Sequence, residues 1–274
     1  MPEGPEIRLA ADAIAQVLEQ KIAERVSFSQ APMRHFGKRL TGIEVLEIET
    51  RGKAMLTHFA HGWTIYSHNQ LYGVWTVAER GQIPPTGRSL RLRITTATHE
   101  ALLYSASDIS VWPTADLGQH PFLARIGPDI LNRDLRWQDI ATRLREPRFA
   151  NRQLGALYLD QTFLAGLGNY LRSEILFQAG LHPNLKPAAL SRGQIGQLSR
   201  ITLELCWRSY HTRGITNPSS RVRKLQGKGL RGEQMRFAAF GRADLDCYRC
   251  SGVIDRIEFG TRRLYLCHNC QPEP

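Results

Sequence analysis

The amino-acid sequence predicts an α+β protein of two domains, a β-rich N-terminal half and a helical C-terminal half closed by a metal-binding β-hairpin. Three observations carry this. The chain has 274 residues, and at roughly 150 residues per domain that suffices for two cores without disulfides. Apolar residues recur at helical spacing at the start, at every second position to about residue 113, and at helical spacing again beyond the middle. Four of the five cysteines stand in two C-x-x-C pairs near the C-terminus.

In chain order, Ile7, Ala11, Ile14 and Leu18 mark one face of a first helix, with Pro5 near its start and Glu3 and Glu6 complementing its dipole, ending near Gln20 to Lys21. Period two then runs through Val26 and Phe28, Ile43 to Val45, Leu56 to Phe59, Thr64 to Tyr66, Val74 to Val77, Leu90 to Ile94 and Leu102 to Tyr104. Many short strands with Gly turns read as a β-sandwich or barrel. The Pro- and Asp-rich stretch from His120 to Asn132 breaks both periods and reads as a linker. Asp139 to Leu144, Gln153 to Phe163, Tyr170 to Gln178 and Gln194 to Tyr210 return to helical spacing. Ile257 and Phe259 before Gly260, with Leu264 and Leu266 after it, alternate as a hairpin does. The boundaries expected are 1–120, a linker at 121–135, a helical domain at 136–230 and the hairpin region at 231–274.

Composition narrows the function classes. Hydrophobic residues at 42%, charged residues at 22%, 23 Gly and 14 Pro are close to globular averages and exclude collagen-like or largely disordered chains. No run of about 18 apolar residues occurs, and Glu3, Glu6, Arg8 and Asp12 stand where a signal peptide needs apolar residues, so a cytoplasmic protein without membrane contact is expected. Lys plus Arg number 36 against 25 Asp plus Glu, a net charge of +11 that draws the protein towards polyanions: DNA, RNA or anionic lipid. The excess is clustered. Arg221, Arg223, Lys224, Lys228, Arg231, Arg236 and Arg242 face one acid, Glu233.

Cys247, Cys250, Cys267 and Cys270, with sixteen residues between the pairs, have the spacing of a four-thiolate zinc site. Two disulfides or a redox pair are the alternatives; a reducing compartment disfavours the first, and the lack of a βαβ pattern the second. Four thiolates leave no open coordination position, so the metal is structural. Cys206, between Leu205 and Trp207 in a helical pattern, reads as a core thiol.

Four further places can carry chemistry. The N-terminal Pro2-Glu3-Gly4-Pro5-Glu6 reads as a helix start. Arg51-Gly52-Lys53 is a turn between strands. His68-Asn69-Gln70-Leu71-Tyr72-Gly73 joins two strands with large apolar residues at its tip, either folded back or presented as a wedge for stacked bases. Gly166-Leu167-Gly168-Asn169 opens the helix that carries Glu174, where free amides can seat a phosphate or simply make a tight turn. The nine histidines show no H-E-x-x-H spacing.

Together, Pro2 to Glu6, Glu49-Thr50-Arg51-Gly52-Lys53, Ala165-Gly166-Leu167-Gly168-Asn169-Tyr170 and the terminal C-x-x-C pairs resemble the formamidopyrimidine-DNA glycosylase and endonuclease VIII family, from residue 2 to residue 270. Tyr66 to Trp75 and Leu103 to Asp108 resemble its endonuclease VIII branch, whereas Ile215 to Asp246 is longer and more basic than in that branch, which leaves lesion range and strand context open. The resemblance implies an N-terminal β-sandwich with its N-terminal helix, a C-terminal helical domain with a helix-two-turn-helix motif, and a four-Cys zinc β-hairpin.

It further implies a bifunctional DNA glycosylase and AP lyase of base excision repair, a monomer acting on damaged double-stranded DNA in the nucleoid, with one structural Zn2+ and no organic cofactor. Pro2, freed of Met1, is the nucleophile; its α-amino group has a reference pKa about 2.5 units below that of Lys. Glu3 exchanges protons. Lys53 serves the sugar and phosphate side, Arg262 the phosphate beside the lesion and Asn169 another phosphate. Gln70, Leu71 and Tyr72 fill the gap left by the flipped nucleotide, His68 binds DNA beside them, and Glu6 and Glu174, counted with the DNA-binding residues, organise the N-terminus and the cleft floor. Two rivals remain: a non-enzymatic zinc protein that binds nucleic acid, for which Pro2 has no role, and a zinc-dependent hydrolase, against which the four-thiolate site argues.

Overall fold

The structure, a computed structural model, describes residues 2–274, and the chain forms two compact units, Met1–Arg125 and Ile126–Pro274. In the first, α1 (Gly4–Leu18) leads into β1 (Lys21–Ala23), β2 (Arg25–Phe28) and α2 (Arg34–Leu40). There follow β3 (Ile43–Arg51), β4 (Ala54–Phe59), β5 (Trp63–His68), β6 (Val74–Glu79), β7 (Leu90–Thr95), β8 (His99–Tyr104) and β9 (Asp108–Pro113).

These strands make two antiparallel sheets, β1-β3-β4-β5-β9 and β2-β7-β8-β6. Ile14, Leu18, Val45, Phe59, Ile65, Leu92, Ile94 and Leu103 share one core, so both sheets and α1 close over it. The stripe expected for α1 is buried at all four positions. Burial of each of its three large side chains contributes roughly 1.5–3 kcal/mol, and Ile14→Ala would open a cavity at the centre. β5 and β6 lie in different sheets, so Asn69 to Gly73 crosses between sheets instead of closing a hairpin.

The second unit contains α3 (Trp137–Arg145), α4 (Pro147–Ala150), α5 (Leu154–Leu157), α6 (Asn169–Ala179), α7 (Arg192–His211), α8 (Ser219–Gly227), β10 (Asp255–Phe259) and β11 (Arg262–Leu266). The alternation around Gly260 gives the expected antiparallel hairpin, Phe259 opposite Arg262. Leu264 and Leu266 of β11 enter the same core as Leu171, Ile175, Leu198 and Leu205, so 136–230 and 231–274 share one hydrophobic interior. Cys206 is a buried core thiol there.

The single helix expected over Gln153 to Phe163 stops at Leu157. Asp160 is the reason: its Oδ1 accepts the Thr162 amide at 2.8 Å, a local turn that competes with the helical ladder. The Thr162 and Phe163 carbonyls bond Arg143 at 2.8 and 2.9 Å instead of later amides. The Pro- and Asp-rich segment belongs at each end to a different unit. His120 stacks 4.0 Å from Tyr66 in the first. Ile130 bonds Ala165 at 3.0 Å in the second. Among the described residues, no helix is long and apolar enough to cross a membrane.

Candidate active site and metal centre

Local chemistry builds the N-terminal end of the first unit. Pro2 is half-buried and Glu3 is 2% exposed at the N-cap of α1. The Glu3 amide donates to Oε2 of Glu6 at 3.0 Å, so Glu6 fixes the backbone that carries Pro2 and Glu3.

Gly52 and Lys53 form the turn between β3 and β4, and Gly52 has φ +64°, a conformation that would strain a side chain. Pairing of Ala54 with His68, and of His68 with Asp108, brings the Lys53 turn, the end of β5 and the start of β9 to one edge of the sheet. Burial lowers the pKa of His68, Asp108 opposes that shift, and the Lys53 ammonium adds to it. Tyr66 is raised, first by burial and then by Asp108.

From this edge the Gln70-Leu71-Tyr72 tip projects. His68 Nδ1 accepts the Gln70 amide at 3.0 Å, and Ser107 Oγ donates to Gln70 Oε1 at 2.7 Å. Gln70 takes φ +51°, a strain of about 1 kcal/mol that these bonds offset. Arg88 donates to the Tyr72 carbonyl at 2.8 Å, and the Gly73 amide to Asn69 at 2.7 Å. A Cβ at Gly73 would fall 2.5 Å from that carbonyl oxygen, so only glycine closes the loop. With its backbone tied, the loop leaves Leu71 52% and Tyr72 72% exposed, so the tip is not folded back onto the sandwich.

In the second unit Asn169 opens α6 with Gly168 as N-cap. Arg172, one turn on and 0% exposed, donates to Asn169 Oδ1 at 2.6 Å, to the Gly155 carbonyl at 2.9 Å and to the Arg263 carbonyl at 2.9 Å. One guanidinium thus joins the Asn169 turn to the strand that begins at the exposed Arg262. Sequence reasoning missed Arg172; its signal was a lone cation between Leu171 and Ser173 in a stretch whose helical spacing predicts burial. It also missed Arg88, and it held Asp108 only as the end of the Leu103 to Asp108 stretch, with no role.

Glu174 is 2% exposed, and its carboxylate accepts the amides of Ala238, Ala239 and Phe240 at 2.7–2.9 Å and the Thr216 hydroxyl at 2.6 Å. It shapes the 216–240 segment and offers no surface to a ligand. The basic cluster divides in the same region. Arg221 and Arg242 lie over the Tyr248 ring at 4.8 and 3.4 Å, and Arg236 bonds the Gly214 carbonyl at 3.1 Å. Arg223, Lys224, Lys228 and Arg231 are exposed on and just after α8.

The four cysteines converge, with all their sulfurs within 4.8 Å of one another. Cys250 lies 3.5 Å from Cys267 and 3.6 Å from Cys270, and Cys247 lies 3.8 Å from Cys270. A tetrahedron with metal–sulfur bonds of about 2.3 Å has edges of about 3.8 Å, so the donors fit one ion. The Gly252 amide pulls the Cys250 thiol down to about 7, while burial and neighbouring sulfurs push Cys267 and Cys270 up. Four thiolates this close ionise together only around a cation.

Residues 1–107 match the formamidopyrimidine-DNA glycosylase N-terminal domain, and residues 126–217 the formamidopyrimidine-DNA glycosylase H2TH domain. Among relatives, the chain is 47% identical to "Endonuclease 8" of Salmonella arizonae over 271 residues, 99% of this chain and 100% of that protein. It is 46% identical to "Endonuclease 8" of Enterobacter sp. over the same shares. Among solved structures it is similar to a variant of Lactococcus lactis Fpg in complex with Fapy-dG-containing DNA (TM-score 0.82, 20% identity) and to the wild-type enzyme with N7-benzyl-Fapy-dG-containing DNA (TM-score 0.81, 21% identity). Each structural match covers 99% of this chain and 100% of the other. These relationships do not favour the non-enzymatic reading. The chain belongs to the formamidopyrimidine-DNA glycosylase family with its endonuclease 8 relatives, DNA glycosylases with AP lyase activity.

Proposed function

We propose that this protein excises oxidised pyrimidines from double-stranded DNA through an iminium on Pro2, and cleaves the strand by β- and then δ-elimination. The observation that carries this is the N-terminal geometry: a half-buried Pro2 beside a buried carboxylate, Glu3, on a backbone held by Glu6. With Met1 removed, Pro2 is a secondary amine. Its nitrogen bonds to C1′, the glycosidic bond breaks, and the base leaves with a proton from Glu3. Opening of the sugar ring places a proton on O4′ and the amine loses its own, leaving an iminium. That cation acidifies the C2′–H bond, so loss of this proton expels the 3′ phosphate, and a second elimination expels the 5′ phosphate.

Other residues bind and position. A base inside a duplex is out of reach, so the nucleotide is flipped out and Gln70, Leu71 and Tyr72 fill its place. Lys53, His68, Asn169 and Arg262 hold phosphates and the sugar side. Glu6 and Glu174 act through the backbones they fix, without touching DNA. The four cysteines hold one Zn2+, which supplies structure to the hairpin and takes no part in the reaction. The protein works as a monomer in the cytoplasm, on the nucleoid, with 1–120 as the catalytic β-sandwich domain, 121–135 as a linker, 136–230 as the helical DNA-binding domain and 231–274 as the zinc hairpin that carries Arg262.

Borohydride added during reaction with abasic or oxidised-pyrimidine DNA tests this reading. The expected result is a covalent protein–DNA adduct that maps to the N-terminal proline by peptide mass. An adduct formed undiminished on Lys53 when Pro2 is blocked, or an active protein that keeps Met1, overturns it.

A further inference from the structure

A second group of ligand-type side chains meets away from the four cysteines. His182 follows α6, His268 follows Cys267, and Glu273 lies near the end of the chain; each offers a ligand atom within 4.8 Å of the others. His182 is 2% exposed, and its Nε2 is buried without a hydrogen-bond partner. A buried nitrogen left unpaired keeps its full desolvation penalty, so a partner is expected there. The ring centroids of His182 and His268 are 6.2 Å apart.

The backbone around these ligands is already arranged. Gln271 is 0% exposed; its Nε2 donates to the Leu181 carbonyl at 2.9 Å, and its Oε1 accepts the Cys267 amide at 3.2 Å. One buried side chain therefore ties the segment carrying His182 to the segment carrying His268. Asp255 Oδ2 stands 3.5 Å from Nε2 of His268, the carboxylate–imidazole arrangement that orients metal-bound histidines.

We propose that His182, His268 and Glu273 form a second metal site, distinct from the cysteine cluster, for a zinc-type divalent ion whose remaining positions are taken by water. Two imidazoles and one carboxylate suit zinc and its borderline neighbours; magnesium and calcium require oxygen donors. With the ion on Nε2, the His182 ring proton sits on Nδ1, and the Asn184 amide gives up its 3.3 Å bond there. The ion pins the C-terminal segment to the turn after α6 and has no part in the chemistry at Pro2.

Counting zinc tests this on the full-length protein already loaded at its cysteines, with Zn2+ alone as probe. After equilibrium dialysis against roughly 10 μM free Zn2+, wild type should hold one more ion per chain than His268→Ala. Glu273→Gln, which leaves the cysteines untouched, should weaken the extra ion at least about 10-fold and so separates a second site from damage to the first. His268 and Glu273 are both exposed, so these variants keep the fold, as thermal unfolding without added zinc should show. Equal zinc contents in wild type and His268→Ala overturn the proposal, as does an unchanged affinity in Glu273→Gln.

Discussion

Arg172 donates from a single nitrogen to Oδ1 of Asn169 at 2.6 Å and to the carbonyl of Arg263 at 2.9 Å. Two segments expected to meet phosphate are thereby set by one buried cation. Arg172→Ala leaves three acceptors without their donor and opens a cavity, and should cost about 3–5 kcal/mol of stability. Arg172→Lys keeps the charge but cannot span the fork, so it should recover part of the stability and little of the affinity for abasic duplex. Denaturant midpoints and binding titrations read the two separately; full affinity in Arg172→Lys would show that the fork does not position the Asn169 turn.

Glu3 serves base removal more than elimination, because an abasic site has already lost the base that needs a proton. Glu3→Gln should lose excision of an oxidised pyrimidine by about 100-fold or more while retaining much of its cleavage at pre-formed abasic sites. Equal loss of both activities would mean that Glu3 acts by holding Pro2.

Arg262 begins β11 five residues before Cys267 and is exposed, whereas the cysteines close on themselves. Arg262→Ala should therefore keep its cysteine-bound metal and its Tm within a degree or two, yet lose most strand cleavage. Loss of metal in this variant would place Arg262 in the scaffold.

Binding to undamaged duplex should weaken with salt at a log–log slope of roughly −4 to −7 if about five to eight phosphates are contacted. The division of the basic cluster sharpens this. Replacing Lys224, Lys228 and Arg231 by Gln should flatten the slope by about 2–3, since each removes roughly 0.9. An unchanged slope would show that the exposed basic residues on and just after α8 do not meet DNA.

Burial holds His68 below the ordinary histidine range, so below about pH 6.5 the unfolded chain takes up this proton before the folded one does. The stability contributed by its neutral form is present above that pH and is lost as pH falls. Protonation of Nδ1 also removes the acceptor of the Gln70 amide. His68→Asn supplies an acceptor for the same amide that does not titrate. Its stability should fall less between pH 7 and pH 5 than that of wild type, measured by urea unfolding; parallel curves would exclude His68 as the source.

Features carried by local spacing are legible in the amino-acid sequence alone. The α1 stripe, the hairpin around Gly260 and the two C-x-x-C pairs need only the period of their residues, because their partners lie a few positions away in the chain or on the adjoining strand. The site is legible in part. The family resemblance names Pro2, Glu3, Lys53 and Arg262 as candidates, and the tertiary structure adds which neighbours surround them. Arg172 reaches Arg263 across 91 positions and Glu174 reaches Ala239 across 65, separations at which no sequence period exists. Tyr248 likewise turns two basic residues of a uniform-looking cluster into scaffold. The same physics explains why the helix after Gln153 is shorter than its spacing predicts. The apolar spacing is real and the side chains are buried, but Asp160 and the distant Arg143 take the backbone groups that a longer helix would have used. Spacing sets which residues go inside; competition for hydrogen bonds between remote groups sets the path the backbone takes to put them there.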